Sequence, residues 1–290
     1  MKTAEFLLDA GSQLSEGPLW DERTQVLYWV DIEGRRLHVY DPVTHQDRSF
    51  LMPSRIGMVS LTKDDRVMVA LEKGVYFVEE GDSVRLFYGD MERPLERNRL
   101  NDGKCDAAGR LWVGSMHMDV VPGQAALYRL TQDRQCTRML DGLTVSNGIG
   151  WSPDGRFMYF IDTPSGFLWR FDFDAETGRI CNRTPLIDYR NEEGNFDGMT
   201  VDAEGCLWIA HWGGFQVSKW NPSSGKKILS VKVPVPNPSS CTFGGPGLGT
   251  LYITTASGRD KTVQRDYPLS GSLYVYEDGT KGIPSFRFGK

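Results

Sequence analysis

The 290-residue chain has no run of 18 or more apolar residues, which excludes a membrane-spanning helix of ordinary length. Its first residues, Met1 to Asp9, hold too short an apolar stretch for a secretory leader, so the expected compartment is the cytoplasm. The five cysteines (Cys105, Cys136, Cys181, Cys206 and Cys241) are odd in number, and none forms a CxxC pair. That spacing excludes a zinc ribbon or disulfide framework and predicts reduced thiols. Positive charge is not in excess: the formal net charge is -5, which speaks against a nucleic-acid partner. Histidine is scarce, with four residues and no HExxH spacing, and no Gly-x-Ser-x-Gly elbow is present. The Gly-rich run at 244–249 lacks the Lys-Ser/Thr and helix of a phosphate cradle and reads as a turn. No stretch has the period of a long amphipathic helix.

What the chain does have is a sixfold repeat. A short apolar strand recurs at 26–30, 67–71, 111–114, 157–161, 207–210 and 251–254, with copies 40 to 49 residues apart. Polar turns such as Asp106-Ala107-Ala108-Gly109 and Asp202-Ala203-Glu204-Gly205 precede it. Asp bonds its own backbone and Gly tolerates positive φ, so these are tight hairpins. An alternating strand follows each copy, at 36–40, 74–77, 126–129, 167–171, 216–220 and 272–276. A weaker outer strand follows that one, as at 84–87 and 228–231. With the strand before each turn, every unit has four strands. That is the period and content of a propeller blade, so residues 1–290 are expected to form one all-β, six-bladed β-propeller of four-stranded antiparallel blades around a central channel. Residues 4–8 and 285–288 both read as strands, and one of them is expected to complete the last blade and close the ring. Trp20, Trp112, Trp151 and Trp208 hold repeat positions and belong between blades. Trp212 breaks the register and belongs at the pocket rim. His38 and His45 read as structural or solvated, whereas His117 and His211 follow strands whose loops can border the channel mouth.

The first strand of each unit would line the channel. These strands contain Glu16-Gly17, Ile56-Gly57, Asn101-Asp102-Gly103, Asn147-Gly148, Asp197-Gly198 and Ser240-Cys241. Glycine suits backbones crowded at an axis. The acids and amides need another reason. Asn-Gly and Asp-Gly are common turn dipeptides, but the recurrence of an acid or amide before Gly in four of the six strands, at equivalent positions, favours an axial site over unrelated turns. Glu16, Asp102 and Asp197 facing one another would repel strongly, and a bound cation would relieve that repulsion. Oxygen donors suit a hard divalent ion such as calcium, magnesium or manganese.

The segments Leu14-Ser15-Glu16-Gly17-Pro18-Leu19-Trp20, Arg99-Leu100-Asn101-Asp102-Gly103-Lys104, Gly114-Ser115-Met116, Val145-Ser146-Asn147-Gly148, Phe196-Asp197-Gly198-Met199 and Cys241-Thr242-Phe243-Gly244-Gly245 resemble, in order, those of the senescence-marker-protein (regucalcin)/gluconolactonase family. The stretches at 114–117, 210–215 and 267–271 are more similar to those of its bacterial sugar-lactone lactonases. The resemblance implies a six-bladed propeller that hydrolyses aldonolactones such as glucono-, xylono- or arabinolactone. It implies one axial divalent cation (calcium, zinc, magnesium, manganese or iron) with Glu16, Asn147 and Asp197 as ligands. It further implies Arg99 and Asn101 as substrate contacts and, by position, Asp119, although His117 and Met118 depart from the family pattern there. In that scheme the cation polarises the lactone carbonyl and Asp197 serves as general base, with Asp102 as the alternative. Two other readings predict different behaviour: a phosphotriester hydrolase on the same axial cation, and a calcium-binding regulatory propeller without turnover.

Overall fold

The computed structural model describes residues 2–80, 83–92, 95–258 and 260–289. Strands alternate with tight turns along the chain and fall into six sheets of consecutive antiparallel strands. Blades one to six span 15–51, 56–88, 98–143, 146–188, 195–232 and 238–276. Their inner strands are Ser15–Asp21, Ile56–Leu61, Asn98–Cys105, Ser146–Trp151, Asn195–Val201 and Pro238–Gly244. Each inner strand packs on the next, and the sixth packs on the first, so the ring is closed around an axis. The expected six-bladed β-propeller is therefore the fold. Within the described residues, one short α-helix, Lys261–Asp266, interrupts the pattern in a loop of blade six, and single 3-10 turns stand at Thr163–Ser165 and Pro246–Leu248. No helix among the described residues is long and apolar enough to cross a membrane.

The hairpin aspartates do more than turn the chain. Asp106 Oδ1 accepts from the Ala108 and Arg110 backbone N–H groups at 3.0 and 3.1 Å, and Oδ2 accepts from Trp112 Nε1 at 2.8 Å. Asp202 repeats this in blade five, with Glu204 N at 3.0 Å, Cys206 N at 2.8 Å and Trp208 Nε1 at 3.0 Å. One carboxylate thus closes the turn and satisfies the indole of the following strand, which would otherwise be a buried unpaired donor. Those tryptophans then fill the spaces between blades. Trp112 meets Trp151 edge-on at 6.0 Å, Trp208 meets Phe243 at 5.6 Å, and Trp20 stacks on Tyr252 at 5.6 Å. The hydrophobic core is accordingly a set of layers between adjacent blades rather than one central mass.

The termini settle how the ring closes. Glu5–Leu8 pairs antiparallel with Leu273–Tyr276 and is the outermost strand of blade six. Lys2–Thr3 pairs parallel with Val231 and Lys232 at the edge of blade five, so one N-terminal segment ties two blades together. Residues 285–288 do not form the expected strand. The C-terminal tail instead crosses the far mouth of the channel. The Gly282 and Phe288 N–H groups donate to the Leu248 and Leu61 carbonyls at 2.9 and 2.8 Å, and the Gly289 N–H donates to Gly109 O at 3.0 Å. Arg287 reaches Asp21 and Asp65. The tail therefore touches blades six, two, three and one, and its Phe288 ring is buried edge-on against Phe87 at 5.4 Å. Replacing Phe288 with Ala is expected to cost about 3 kcal/mol or more by leaving a cavity under the tail. The check is the denaturant midpoint of the variant at unchanged m-value.

Candidate active site

All six inner strands lose register with their neighbours at the same place. One extra residue is accommodated in each: between Glu16 and Leu19, Ile56 and Met58, Leu100 and Gly103, Ser146 and Ile149, Phe196 and Met199, and Pro238 and Ser240. These are β-bulges, which re-aim side chains and bend the strand. The axial acids and amides stand in or beside them. The close packing also explains their glycines. A Cβ on Gly57 would lie 2.6 Å from Asn101 O, and one on Gly148 would lie 2.6 Å from Asp197 O. Both are closer than real Cβ atoms approach, so backbone crowding at the axis requires glycine.

The bulges are held from behind by aspartates at the ends of the second strands. Asp31 Oδ1 accepts from Leu14 N at 3.1 Å, two residues before Glu16. Asp162 Oδ1 accepts from Val145 N at 2.9 Å, two residues before Asn147. Blades one and four thus use the same grip to present these two side chains.

Glu16, Arg99, Asn101, Asn147 and Asp197 line one cavity of about 330 Å³ at the open mouth of the channel. Leu14, Ile32, Val145 and Trp212 supply apolar wall, and Thr163 adds a hydroxyl. The expected ligand triad and both central substrate contacts are therefore neighbours. Asp102 lines a separate inner chamber below, with Lys104, Cys105 and tail residues 283–286. Lys104 spans the channel there and donates to the Met199 carbonyl.

Burial dominates the electrostatics. It pushes the Glu16 carboxyl well above the usual carboxylate range, with Asp197 and Asp102 adding to the rise and the Gly17 N–H and Arg99 opposing it. Asp197 is raised well above its usual range by burial and then by Asp102, against the hydrogen bond from Asn147. Asp102 is raised by burial, against Lys104 and the Gly103 N–H. Burial lowers the Arg99 guanidinium to about 10, although Glu33 holds it up. Three acids share a desolvated axis with two cationic side chains, so negative charge there is undercompensated.

The donor set fits a hard cation. Asn147 Oδ1 and Asp102 Oδ2 are buried and make no hydrogen bond. The Asn147 amide nitrogen is fully spent, one hydrogen on Thr163 Oγ1 at 2.9 Å and the other on Asp197 Oδ1. A bare amide oxygen beside two or three crowded carboxylates is what an oxygen-seeking divalent ion would satisfy. Asp202, Glu204 and Cys206 also cluster, but Asp202 already closes its hairpin and pairs with Lys219 at 2.9 Å. That cluster is structural.

Arg99 Nη1 donates to Leu100 O at 3.0 Å and to Asn101 Oδ1 at 2.7 Å. Asn101 Nδ2 donates in turn to Ser146 O at 3.0 Å. Asn101 thus buttresses the guanidinium as well as lining the cavity. Three of the candidate residues, Asp119, His117 and His211, do not line this cavity. Asp119 is exposed and pairs with Arg97 at 2.8 Å; its neighbour Val120 borders the cavity, and Asp119 does not. His211 is fully buried behind the wall, against Phe196, with Nε2 2.6 Å from Ser218 Oγ and Nδ1 2.8 Å from Glu193 O. Burial lowers its pKa to about 4, so it is a neutral structural residue. His117 is also off the wall and accepts from Asp119 N at 3.1 Å. His38 stacks on Trp29 at 3.7 Å and bonds Asp47. Sequence reasoning assigned no role to Thr163 or Lys104. Lys104 stood in the recognised motif, whereas Thr163 carried no signal beyond its place just past a second strand.

Comparison with known proteins shows the family of the chain. Residues 14–257 match the family described as SMP-30/Gluconolactonase/LRE-like region. The chain is 36% identical to a Bacillus subtilis (strain 168) protein named "Putative sugar lactone lactonase YvrE", over 97% of this chain and 96% of that one. It is 34% identical to Regucalcin of Xenopus laevis, over 98% and 97% of the two chains. Among solved structures, a calcium-binding protein, regucalcin, from Agrobacterium tumefaciens str. C58 superposes with a TM-score of 0.94 at 26% identity, covering 99% of this chain and 97% of that one. With the bulged axial strands and their acids in the same order as the motifs, the chain belongs to the SMP-30/gluconolactonase family.

Proposed function

We propose that this protein hydrolyses a sugar lactone to its sugar acid, using one divalent cation held by Glu16, Asn147 and Asp197. The observation that carries the proposal is the convergence of those three buried oxygen donors, one of them bare, on a cavity beside the buried Arg99. Membership of a gluconolactonase family and likeness to a protein named for sugar lactone hydrolysis support the same reading.

A bound cation would polarise the lactone carbonyl and stabilise charge developing on its oxygen. The chain's own residues supply the rest. A cavity of about 330 Å³ admits one sugar ring. The apolar wall of Leu14, Ile32, Val145 and Trp212 suits the ring's C–H face. The Arg99 fork, fixed through Nη1, presents its remaining N–H groups to hydroxyl or carbonyl oxygens. In this reading Asp197 takes a proton from the attacking water as the new C–O bond forms. It then returns that proton to the ring oxygen as the acyl C–O bond breaks. Lactone plus water becomes the hydroxy acid with no other reactant. Asp102, on the inner chamber, is the less well placed base.

The deciding measurement is acid release from gluconolactone, xylonolactone and arabinolactone by protein loaded in turn with calcium, magnesium, manganese, zinc and iron(II). A phosphotriester is run beside them. Turnover of at least one lactone is expected. Turnover of the phosphotriester alone would favour the phosphoryl reading, and tight calcium binding with no turnover would favour a regulatory propeller. Asp197→Ala is expected to lose tight cation binding and to lower kcat/KM by about 10²–10⁴-fold. Full activity of that variant in chelating buffer would remove the axial-cation mechanism.

The raised carboxyl groups also predict a pH effect. Glu16 and Asp197 bind protons more tightly folded than unfolded, so the cation-free fold loses stability as pH rises from the ordinary carboxylate range through their raised folded values. A cation displaces those protons and removes the repulsion, so its affinity rises with pH. The increase in Tm on adding calcium or manganese should therefore grow between mildly acidic and neutral pH. A gain independent of pH would contradict the buried-carboxylate account.

A further inference from the structure

Thr163 stands in the cavity wall with its backbone pinned on both sides. Its N–H donates to Val145 O at 3.1 Å, and its carbonyl accepts from the Tyr189 hydroxyl. Tyr189 is itself stacked on Phe196 at 4.1 Å. The Thr163 hydroxyl therefore has little freedom. It donates to Phe196 O at 3.0 Å and stands 2.9 Å from Asn147 Nδ2.

The polarity of this chain of bonds is forced. A backbone carbonyl only accepts, so the single Thr163 hydroxyl hydrogen must go to Phe196 O. The hydroxyl oxygen can then only accept from Asn147. Asn147 must turn its NH2 group toward Thr163, and its carbonyl oxygen must face the cavity. An amide can otherwise rotate by half a turn and exchange the two ends at little steric cost, and Asp197 Oδ1, which accepts the second Nδ2 hydrogen, favours the same end as Thr163. The exchanged form would aim N–H groups at an incoming cation.

We propose that Thr163 is a positioning residue that selects the orientation of the Asn147 amide and thereby sets the affinity of the axial group for a divalent cation. The inference rests on the reading of that group as a cation site. It extends it by naming a residue that acts on the cation through Asn147 and is not one of its three ligands. Partners that orient a ligand typically alter metal affinity by about 10–100-fold.

The test is a double-mutant cycle on the full chain, read as the Kd of calcium and of manganese by titration calorimetry. Thr163→Val keeps the side-chain shape and removes the hydroxyl, and Thr163→Ser keeps the hydroxyl. Thr163→Val is expected to weaken binding by about 10-fold or more, and Thr163→Ser to stay near wild type. In an Asn147→Asp background the two side-chain oxygens are equivalent and there is no orientation to select. There, Thr163→Val is expected to change Kd by no more than about twofold, a coupling that a general loosening of the loop would not produce. Wild-type affinity in Thr163→Val, or an equal loss in both backgrounds, would overturn the assignment. Failure of the wild-type protein to bind either ion would instead overturn the cation reading itself, and the assignment with it.

Discussion

Negative charge buried on the axis is the constraint around which the rest of the molecule is arranged. Glu16, Asp102 and Asp197 come from three different blades, yet each raises or feels the others through a medium from which water is largely excluded. Such a cluster is expensive for a fold to hold. It is held because six inner strands bulge at one level, because glycine lets the backbones approach, and because Asp31 and Asp162 grip the strands that present Glu16 and Asn147. The apolar layers between blades make the ring rigid enough that the acids cannot relax apart.

The channel is divided by this cluster into two unlike halves. The open mouth carries Glu16, Asn147, Asp197 and the Arg99–Asn101 pair, with apolar wall on either side. The inner half carries Asp102 and Lys104 and is covered by the C-terminal tail. The division separates an oxygen-rich surface that a ligand can reach from a chamber that it cannot enter through the tail. It also distinguishes two carboxylates that are adjacent in chemistry. Asp197 faces the mouth, and Asp102 faces inward.

Much of this was legible in the chain because a propeller repeats its signals. The 40- to 49-residue spacing, the Asp-x-x-Gly turns and the alternating strands recur often enough that single ambiguities cancel. The axial acids were legible for the same reason: Glu16, Asn147 and Asp197 stand at equivalent points of different units. The places of Asp119, outside the cavity lining, and of His211, buried in the strand Leu207–Trp212, depend on how single side chains are directed, and no repeat averages over that. Residues 285–288 have strand-like composition, but the outer edge of blade six is already occupied by Glu5–Leu8, and the tail crosses the far mouth instead.

The sequence by itself determined the number of blades, the order of their strands and the set of oxygen-bearing side chains near the axis. These follow from local turn chemistry and period, which need only neighbouring residues. Only the tertiary structure decided which of those side chains share a cavity, which way Asn147 turns its amide, and what covers the far mouth. Those outcomes depend on a one-residue bulge in each strand, on a threonine hydroxyl from the next strand's end, and on contacts between residues more than two hundred positions apart, such as Phe288 with Leu61 and Phe87. No local pattern encodes a contact that exists only once the ring has closed.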